Sequence, residues 1–163
     1  MTYAFTTMPS PVGTLTLVAS DNGLAAILWE DDRPGRVTLG AMEERPDHPV
    51  LMETEAQLRD YFAGTRTRFD LPLDAMGTDF QKRVWEQLLA IPFGETRTYG
   101  EIARAIGSPN AVRAVGGANG RNPLSIVAPC HRVIGGNGTL TGFAGGLEAK
   151  RYLLAHEGLE LAL

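Results

Sequence analysis

Residues 98–120 read TYGEIARAIGSPNAVRAVGGANG, and this stretch predicts two short helices joined by a tight turn. Thr98 followed by Glu101 is a capping-box pattern, so a helix is expected to begin here. Ser108 is a favourable N-cap and Pro109 suits the first position of a second helix, which predicts a connection of about three residues. Two short helices joined in this way are typical of a helix-turn-helix.

The second of these helices, NAVRAVGGANG, contains three glycines. An interior glycine destabilises a helix by about 1 kcal/mol relative to alanine, so the presence of these glycines needs an explanation. One interpretation is close packing against the first helix of the pair. The other is a helix that presses against DNA, with Arg113 as its one long side chain.

The first half of the chain reads as a small sheet with one helix. TLTLVAS (14–20) alternates in polarity, and DNG and LAAILWE follow it, which predicts a β-hairpin. Residues 31–47 are polar and predict a loop or a variable strand. PVLMETEAQLRDYFAG (49–64) has apolar gaps near the helical period, and FDLPLD (69–74) suits an edge strand or a linker.

The second half is mostly helical. A capping box at Thr78 predicts a helix that ends before Pro92, and LEAKRYLLAHE predicts a final helix. Between them, NPLSIVAP is expected to run extended, and HRVIGGNGTLTGF to form two short strands around Asn137-Gly138. The fold class is therefore α+β, with an N-terminal domain over residues 1–76 and a C-terminal domain over residues 77–163.

Composition and charge narrow the classes of function. The chain has 163 residues, 44% hydrophobic and 21% charged, and no apolar run of membrane-spanning length. Residues 1–76 carry 6 Lys/Arg and 12 Asp/Glu, whereas residues 77–163 carry 9 and 7. The acidic excess lies in the first half, and the second half permits contact with phosphates.

The cysteine count and the N-terminus indicate a cytoplasmic protein. MTYAFTTMPSPVG has neither the basic region nor the apolar core of a signal peptide. One cysteine cannot form an internal disulfide, and with three histidines it serves a structural zinc site poorly, so no metal is expected. The glycine-rich stretches lack the spacing of a phosphate-binding loop, so no cofactor is expected.

The stretch IVAPCHRVIG (126–135) holds the one cysteine, Cys130. A lone cysteine is commonly a small buried hydrophobe. Here Pro129 stiffens the preceding backbone, and His131 and Arg132 bring positive charge that favours the thiolate. The residues alone leave both interpretations open.

His131 is a candidate base for the thiol. Neighbouring side chains on extended backbone point to opposite faces, so a water is expected to link His131 to Cys130. A histidine base also needs an acceptor to orient it. The candidate acceptors are Asp79, Glu86, Glu95, Glu101, Glu148, Glu157 and Glu160. Glu157 stands out because it lies at the C-terminal end of the last helix, where the helix dipole disfavours a carboxylate. A carboxylate in that position either faces water or has a specific partner.

Taken together, these motifs resemble the O6-alkylguanine-DNA alkyltransferase family. The resemblance rests on PCHRVIG, on NP and RAVGGAN before it, and on GG…K…LLAHEG after it. It is dense over residues 69–158, which include FDLPL and GTDFQKRVWEQLLAIPFGETRTYGEIA, and looser before them.

The resemblance implies a fold and a reaction. The fold is an N-terminal ribonuclease H-like domain, a small antiparallel sheet with a helix, followed by a C-terminal winged helix-turn-helix domain. The reaction is DNA repair by direct reversal. An alkylated guanine is flipped out of duplex DNA, and the active cysteine takes the alkyl group from O6 in a thioether that is permanent.

The resemblance also implies roles for individual residues. Cys130 is the nucleophile, His131 the base acting through water, Glu157 the group that orients it, and Asn122 the brace of the site. Tyr99 rotates and contacts the base, and Arg113 fills the vacated stack. The remaining positions are the Val133 carbonyl, which recognises the guanine amino group, and the small residues Ala111, Ala114 and Gly116, which face the minor groove of double-stranded DNA.

The sequence departs from some relatives at Phe143 and Ala144, where they have tyrosine and serine. The Ala144 N–H remains able to donate to O6, so the departure bears on lesion preference and not on reaction type. Some relatives bind zinc through N-terminal cysteines, which this chain lacks. A monomer in solution, which clusters on DNA, is expected.

Two alternatives remain at the level of sequence. A hydrolase built from Cys130, His131 and Glu157 would turn over many times and would need no helix-turn-helix. A DNA-binding regulator would carry an inert cysteine.

Overall fold

The structure is a computed structural model that describes residues 2–138 and 142–159. The chain divides into two compact units, residues 1–76 and 77–163. Within the described ranges, no helix combines the length and the apolar character that a membrane crossing needs.

The first unit is built on four strands, which are β1 (Tyr3–Met8), β2 (Leu15–Ser20), β3 (Gly23–Leu28) and β4 (Met42–Glu44). They form one sheet in the order β3-β2-β1-β4. β1–β2 and β2–β3 are antiparallel, and the hairpin predicted from TLTLVAS is present. β4 pairs parallel to β1 and comes from the stretch predicted as a loop or a variable strand. The one helix described in this unit is α1 (Pro49–Phe62).

Helix α1 forms a core with the sheet. It begins with Pro in the first turn, and His48 caps it by accepting a hydrogen bond at Nδ1 from the Val50 N–H, at 3.2 Å. Leu51, Leu58 and Tyr61 on α1 are fully buried. A second cluster joins buried Val18, Ala25 and Ala26 to partly buried residues of the strands and of the loop before β4.

Residues 69–74 follow the outer edge of β3, as the edge-strand interpretation predicted. The Leu24 N–H donates to the Pro72 carbonyl at 2.8 Å, and the Asp74 N–H donates to the Leu24 carbonyl at 2.7 Å. A Cβ at Gly23 would lie 2.7 Å from the Pro72 oxygen, so this close approach requires glycine.

The second unit carries two helices that begin where the capping boxes predict. At Thr78 and at Thr98 both reciprocal hydrogen bonds of the box are present. The elements are α2 (Asp79–Leu89), β5 (Arg97–Thr98), α3 (Tyr99–Ala105), α4 (Val112–Gly120), a 3-10 turn (Cys130–Arg132), β6 (Val133–Ile134) and α5 (Leu147–His156).

The start of α4 differs from the prediction. The helix begins at Val112, so Ser108 is not its N-cap and Pro109 is not its first residue. The Ala111 N–H donates to the Ser108 carbonyl at 2.9 Å, which closes a separate turn over residues 108–111. The connection from α3 to α4 is consequently longer than the expected three residues.

Helix α4 is fixed to α2 through its C-terminal half. The indole Nε1 of Trp85 donates to the Ala118 carbonyl at 2.8 Å, and Trp85 is 6% exposed. Val115 and Ala118 are buried, whereas Val112, Arg113 and Ala114 are exposed. The packing therefore leaves the N-terminal part of α4 at the surface.

The segment before Cys130 and the strands after it also differ from the prediction. Residues 122–129 form turns instead of an extended run, and Ile126 has φ +74°. Among the described residues, β6 pairs in parallel with β5, a pairing that the sequence did not predict. A turn lies one residue before the predicted Asn137-Gly138 position, because the Gly138 N–H donates to the Gly135 carbonyl at 2.9 Å and makes Gly136 and Asn137 its central residues. The second strand of the predicted hairpin begins in 139–141, outside the described residues.

Candidate active site

Cys130 opens the 3-10 turn and is 2% exposed. Its N–H donates to the Ala128 carbonyl at 2.7 Å. The backbone is helical from Cys130 to Arg132, so the prediction of extended backbone that turns the Cys130 and His131 side chains to opposite faces is wrong. The turn places three consecutive functional groups in a buried part of the unit.

Asn122 holds the loop that leads to Cys130. Its Nδ2 donates to the Ala128 carbonyl at 2.8 Å, and its Oδ1 accepts from the Leu124 N–H at 3.0 Å. Both bonds are buried, and the bond to Ala128 spans the left-handed residue Ile126. A β-branched residue in that conformation is strained by about 1–3 kcal/mol, so the loop depends on such fixed contacts.

His131 and Glu157 are joined directly. Nε2 of His131 lies 2.8 Å from Oε2 of Glu157, and both side chains are completely buried. Glu157 is the C-cap residue of α5, so the acid singled out for its unfavourable place at a helix end has a specific partner.

Arg132 completes this arrangement, and sequence reasoning gave it no role beyond positive charge. Its Nε donates to Oε1 of Glu157 at 2.7 Å, and its Nη2 donates to Oε2 at 3.0 Å. Nη1 donates to the Ile91 carbonyl at 2.6 Å. The guanidinium therefore donates hydrogen bonds to both carboxylate oxygens, and its positive charge compensates the buried negative charge of Glu157.

The electrostatics keep His131 neutral. Burial lowers the pKa of His131 below its ordinary value of 6.5, and the hydrogen bond that His131 donates to Glu157 opposes this only in part. A neutral imidazole that donates from Nε2 to a carboxylate has an acceptor lone pair on Nδ1. Nδ1 is buried and makes no hydrogen bond to any residue that the structure describes. It is thus placed to accept a proton.

Lys150 is a second group that sequence reasoning missed. Its Nζ donates to the Val133 carbonyl at 2.7 Å and lies 5.9 Å from the centroid of the Phe143 ring. Burial lowers the pKa of Lys150 to about 8, and the nearby Cys130 opposes that shift. A signal was present in the sequence, because Lys150 stands at helical spacing from the buried residues Leu153 and Leu154.

Four of the residues predicted to contact DNA lie in or just before α4, and Tyr99 lies at the start of α3. Tyr99 is half-buried, and its ring lies 3.9 Å from where a Cβ at Gly116 would be. Arg113 and Ala114 are exposed on α4, and Ala111 just before it is half-buried. Cβ atoms at Gly117 and Gly120 would meet no described atom, so packing against α3 does not explain these two glycines.

Phe143 and Ala144 are half-buried in the segment that leads to α5. Lys150 brings Phe143 into the neighbourhood of Val133 and so into the Cys130 region. Over residues 2–138 and 142–159, no group of three or more His, Cys, Asp or Glu residues is arranged to hold a metal ion.

Two family models match almost the whole chain. Residues 3–75 match the ribonuclease-like domain of 6-O-methylguanine DNA methyltransferase, and residues 79–159 match its DNA-binding domain.

Individual relatives agree with these matches. The methylated-DNA--protein-cysteine methyltransferase of Mycobacterium tuberculosis strain H37Rv is 50% identical over 155 residues, which are 94% of this chain and 91% of the relative. The constitutive enzyme of the same name from Bacillus subtilis is 46% identical, with 92% of each chain covered.

A solved structure extends the agreement to three dimensions. The crystal structure of Mycobacterium tuberculosis OGT in complex with DNA matches with a TM-score of 0.86 and 48% identity, covering 95% of this chain and 93% of that one. A single buried cysteine beside a His–Glu–Arg cluster thus lies within a chain that matches both domains, and the protein belongs to the 6-O-methylguanine DNA methyltransferase family.

Proposed function

We propose that this protein repairs DNA by transferring the alkyl group of O6-alkylguanine to Cys130. The observation that carries the proposal is the buried Cys130–His131–Glu157 arrangement, in which Nδ1 of His131 is left as a proton acceptor. The matches to methylated-DNA--protein-cysteine methyltransferases support the same reaction.

The transfer is a displacement at the alkyl carbon. His131 removes the thiol proton through a bridging water, and a sulfur lone pair of Cys130 then forms the S–C bond. The C–O6 bond breaks, its electron pair passes to the base, and the proton that His131 took from the thiol returns through water and neutralises the base at N1. Guanine is restored, and the thioether on Cys130 is stable.

Glu157 and Arg132 serve the base. Glu157 fixes the ring of His131 and its tautomer, and Arg132 holds the carboxylate from the far side. Asn122 braces the loop that presents Cys130. No cofactor takes part, because the thiol itself is the acceptor.

Other groups recognise the base. The Val133 carbonyl accepts from the guanine amino group with the lone pair that Lys150 leaves open. The Ala144 N–H donates to O6, where negative charge develops in the transition state. Phe143 makes the pocket less polar than a tyrosine would.

The nearly complete burial of Cys130 requires that the base leave the duplex. A thiol that is 2% exposed cannot reach O6 of a stacked guanine, so the nucleotide is flipped. Tyr99 rotates the nucleotide and Arg113 fills the gap, while the small residues Ala111, Ala114 and Gly116 admit α4 to the minor groove. Minor-groove readout is degenerate, which suits a search through any sequence.

The stoichiometry of the reaction tests the proposal. When duplex DNA with O6-methylguanine is in excess, the amount repaired should level off at one lesion per protein molecule. A Cys–His–Glu hydrolase would continue to turn over, and an inert regulator would repair nothing. Cys130→Ala should still bind the duplex while it repairs no lesion. We propose that the protein carries out this reaction as a monomer in the cytoplasm.

The role of Arg113 is tested by comparing two substrates. Arg113→Ala should slow reaction with lesion-bearing duplex about tenfold or more, because unstacking costs a few kcal/mol that nothing then offsets. Reaction with free O6-methylguanine base should stay close to that of the unsubstituted protein. Arg121→Ala, at the exposed C-terminal end of α4, is the matched control. Equal losses on both substrates would contradict the proposed role.

A further inference from the structure

The C-terminal end of α4 is capped by a side chain from another helix. Carbonyl groups in the last turn of a helix have no partner within the regular helix. In α4 the carbonyl of Ala118 accepts from the indole Nε1 of Trp85, a residue of α2, at 2.8 Å. The Arg121 N–H makes a longer bond to the same carbonyl, at 3.2 Å. Trp85 therefore connects the end of α4 directly to α2.

The indole ring of Trp85 is itself fixed in place. The residue is 6% exposed, and a Cβ at Gly77 would lie 2.5 Å from Cη2 of the ring. The backbone at Gly77 therefore lies directly against one edge of the ring, while the Ala118 carbonyl binds the N–H at another. A buried ring with contacts on both sides can hold the carbonyl that it binds in one position.

The two ends of α4 lead to different parts of the proposed reaction. Arg113 and Ala114, near its start, are exposed and are proposed to meet DNA. Asn122, just after its end, braces the loop of Cys130 through the Ala128 carbonyl and the Leu124 N–H. These bonds hold the loop without Trp85. The bond from Trp85 to Ala118 instead acts on α4 itself.

We propose that Trp85 is a positioning residue for DNA binding, and that its indole N–H fixes the orientation in which α4 meets duplex DNA. This inference rests on the proposed function, in which α4 enters the minor groove. Without the N–H, the Ala118 carbonyl loses a buried partner, and α4 is free to take up several orientations. Binding must then select one of them, which lowers affinity for DNA and leaves the chemistry at Cys130 unchanged.

The two tryptophans of the chain allow a matched design. Trp85→Phe keeps a buried aromatic ring and removes the N–H donor. Trp29→Phe makes the same change at a tryptophan of the first unit that is 5% exposed, and it is the control. In the Trp29→Phe background, expression in a tryptophan auxotroph supplied with β-(3-benzothienyl)alanine replaces Trp85 alone. That residue keeps the shape of the indole and carries sulfur in place of the N–H.

Single-turnover methyl transfer is measured against the concentration of duplex DNA with O6-methylguanine, and separately with the free base. In Trp85→Phe the half-saturating duplex concentration should rise about tenfold, the factor that loss of one buried hydrogen bond allows. The maximal rate and the rate with free base should stay close to those of the unsubstituted protein. The benzothienyl protein should show the same rise, and Trp29→Phe should show none.

An unchanged half-saturating concentration in folded Trp85→Phe would overturn the inference. Equal losses with duplex and with free base would also overturn it, because they would make Trp85 a residue of general stability. If Trp85→Phe does not fold, the benzothienyl protein decides by the same two criteria.

Failure of the proposed function has a different signature. In that case the unsubstituted protein transfers no methyl group from either substrate. The affinity for fluorescently labelled duplex DNA, measured by anisotropy, then decides the role of Trp85. An affinity that is the same in Trp85→Phe and Trp29→Phe would refute that role.

Discussion

At the scale of single residues, the buried cluster next to Cys130 is built around one carboxylate that two residues share. Glu157 accepts from Arg132 through both oxygens and from His131 through one of them. The sequence singled out Glu157 because a carboxylate at a helix C-terminus is unfavourable without a partner. The sequence could not reveal the two hydrogen bonds from Arg132 to Glu157, because they depend on how α5 packs against the turn.

Replacing the carboxylate of Glu157 should cost both stability and activity. Glu157→Gln leaves the buried charge of Arg132 uncompensated, so the free energy of unfolding should fall by about 3 kcal/mol or more. The methyl-transfer rate should fall about 100-fold, because His131 loses the acceptor that fixes its tautomer. Glu148→Gln, at an exposed acid of the same helix, is the control for urea unfolding and single-turnover kinetics. Similar behaviour of the two variants would contradict the account.

The state of His131 predicts a dependence of stability on pH. Its pKa in the folded protein is below 6.5, so the unfolded chain binds the proton more readily. The stability that the neutral ring contributes should therefore be present above about pH 6.5 and be lost as the pH falls below it. Urea unfolding across this range should show a decline that is smaller in His131→Gln. An equal decline in both proteins would exclude a buried neutral His131.

At the scale of elements, patterns that act within one turn of chain were predictable, and patterns that depend on packing were not. Both capping boxes are formed, because Thr and Gln or Glu three residues apart satisfy each other locally. Ser108 carried an equally good cap signal, yet its carbonyl closes a separate turn and α4 begins later. Nothing in NPLSIVAP predicts a left-handed isoleucine, which lies in a loop closed by the Asn122 side chain and by the hydrogen bond from the Ala128 N–H to the Leu124 carbonyl.

The two capping boxes allow a matched test of how α3 presents Tyr99. Thr78→Ala and Thr98→Ala each remove the same kind of cap, so each should lower the free energy of unfolding by about 1 kcal/mol. Tyr99 is the first residue of α3, directly after Thr98, so only Thr98→Ala should also slow repair of duplex DNA. The measurements are urea unfolding and single-turnover repair. Equal repair rates in the two variants would show that the cap does not position Tyr99.

At the scale of the whole molecule, charge and chemistry are divided between the two units. The acidic excess lies in residues 1–76, and Cys130, the His131–Glu157 pair and the exposed side of α4 lie in residues 77–163. The α+β class, the contact between His131 and Glu157 and the bracing position of Asn122 could be predicted from motifs, while the catalytic roles of these residues and of Cys130 stay predictions. The helical spacing of Lys150 indicated that it is buried, but the contacts of Lys150 and Arg132 could not be predicted, because only the folded unit brings those groups together.

Mass spectrometry of the protein after reaction can show whether Cys130 is the acceptor of the alkyl group. After incubation with duplex DNA that contains O6-methylguanine, the intact protein should gain one methyl group in place of one hydrogen. Fragmentation of the tryptic peptide 122–132 should assign that group to the sulfur of Cys130. An unmodified peptide 122–132 from protein that has removed the lesion, or a methyl group on any other residue, would contradict the account.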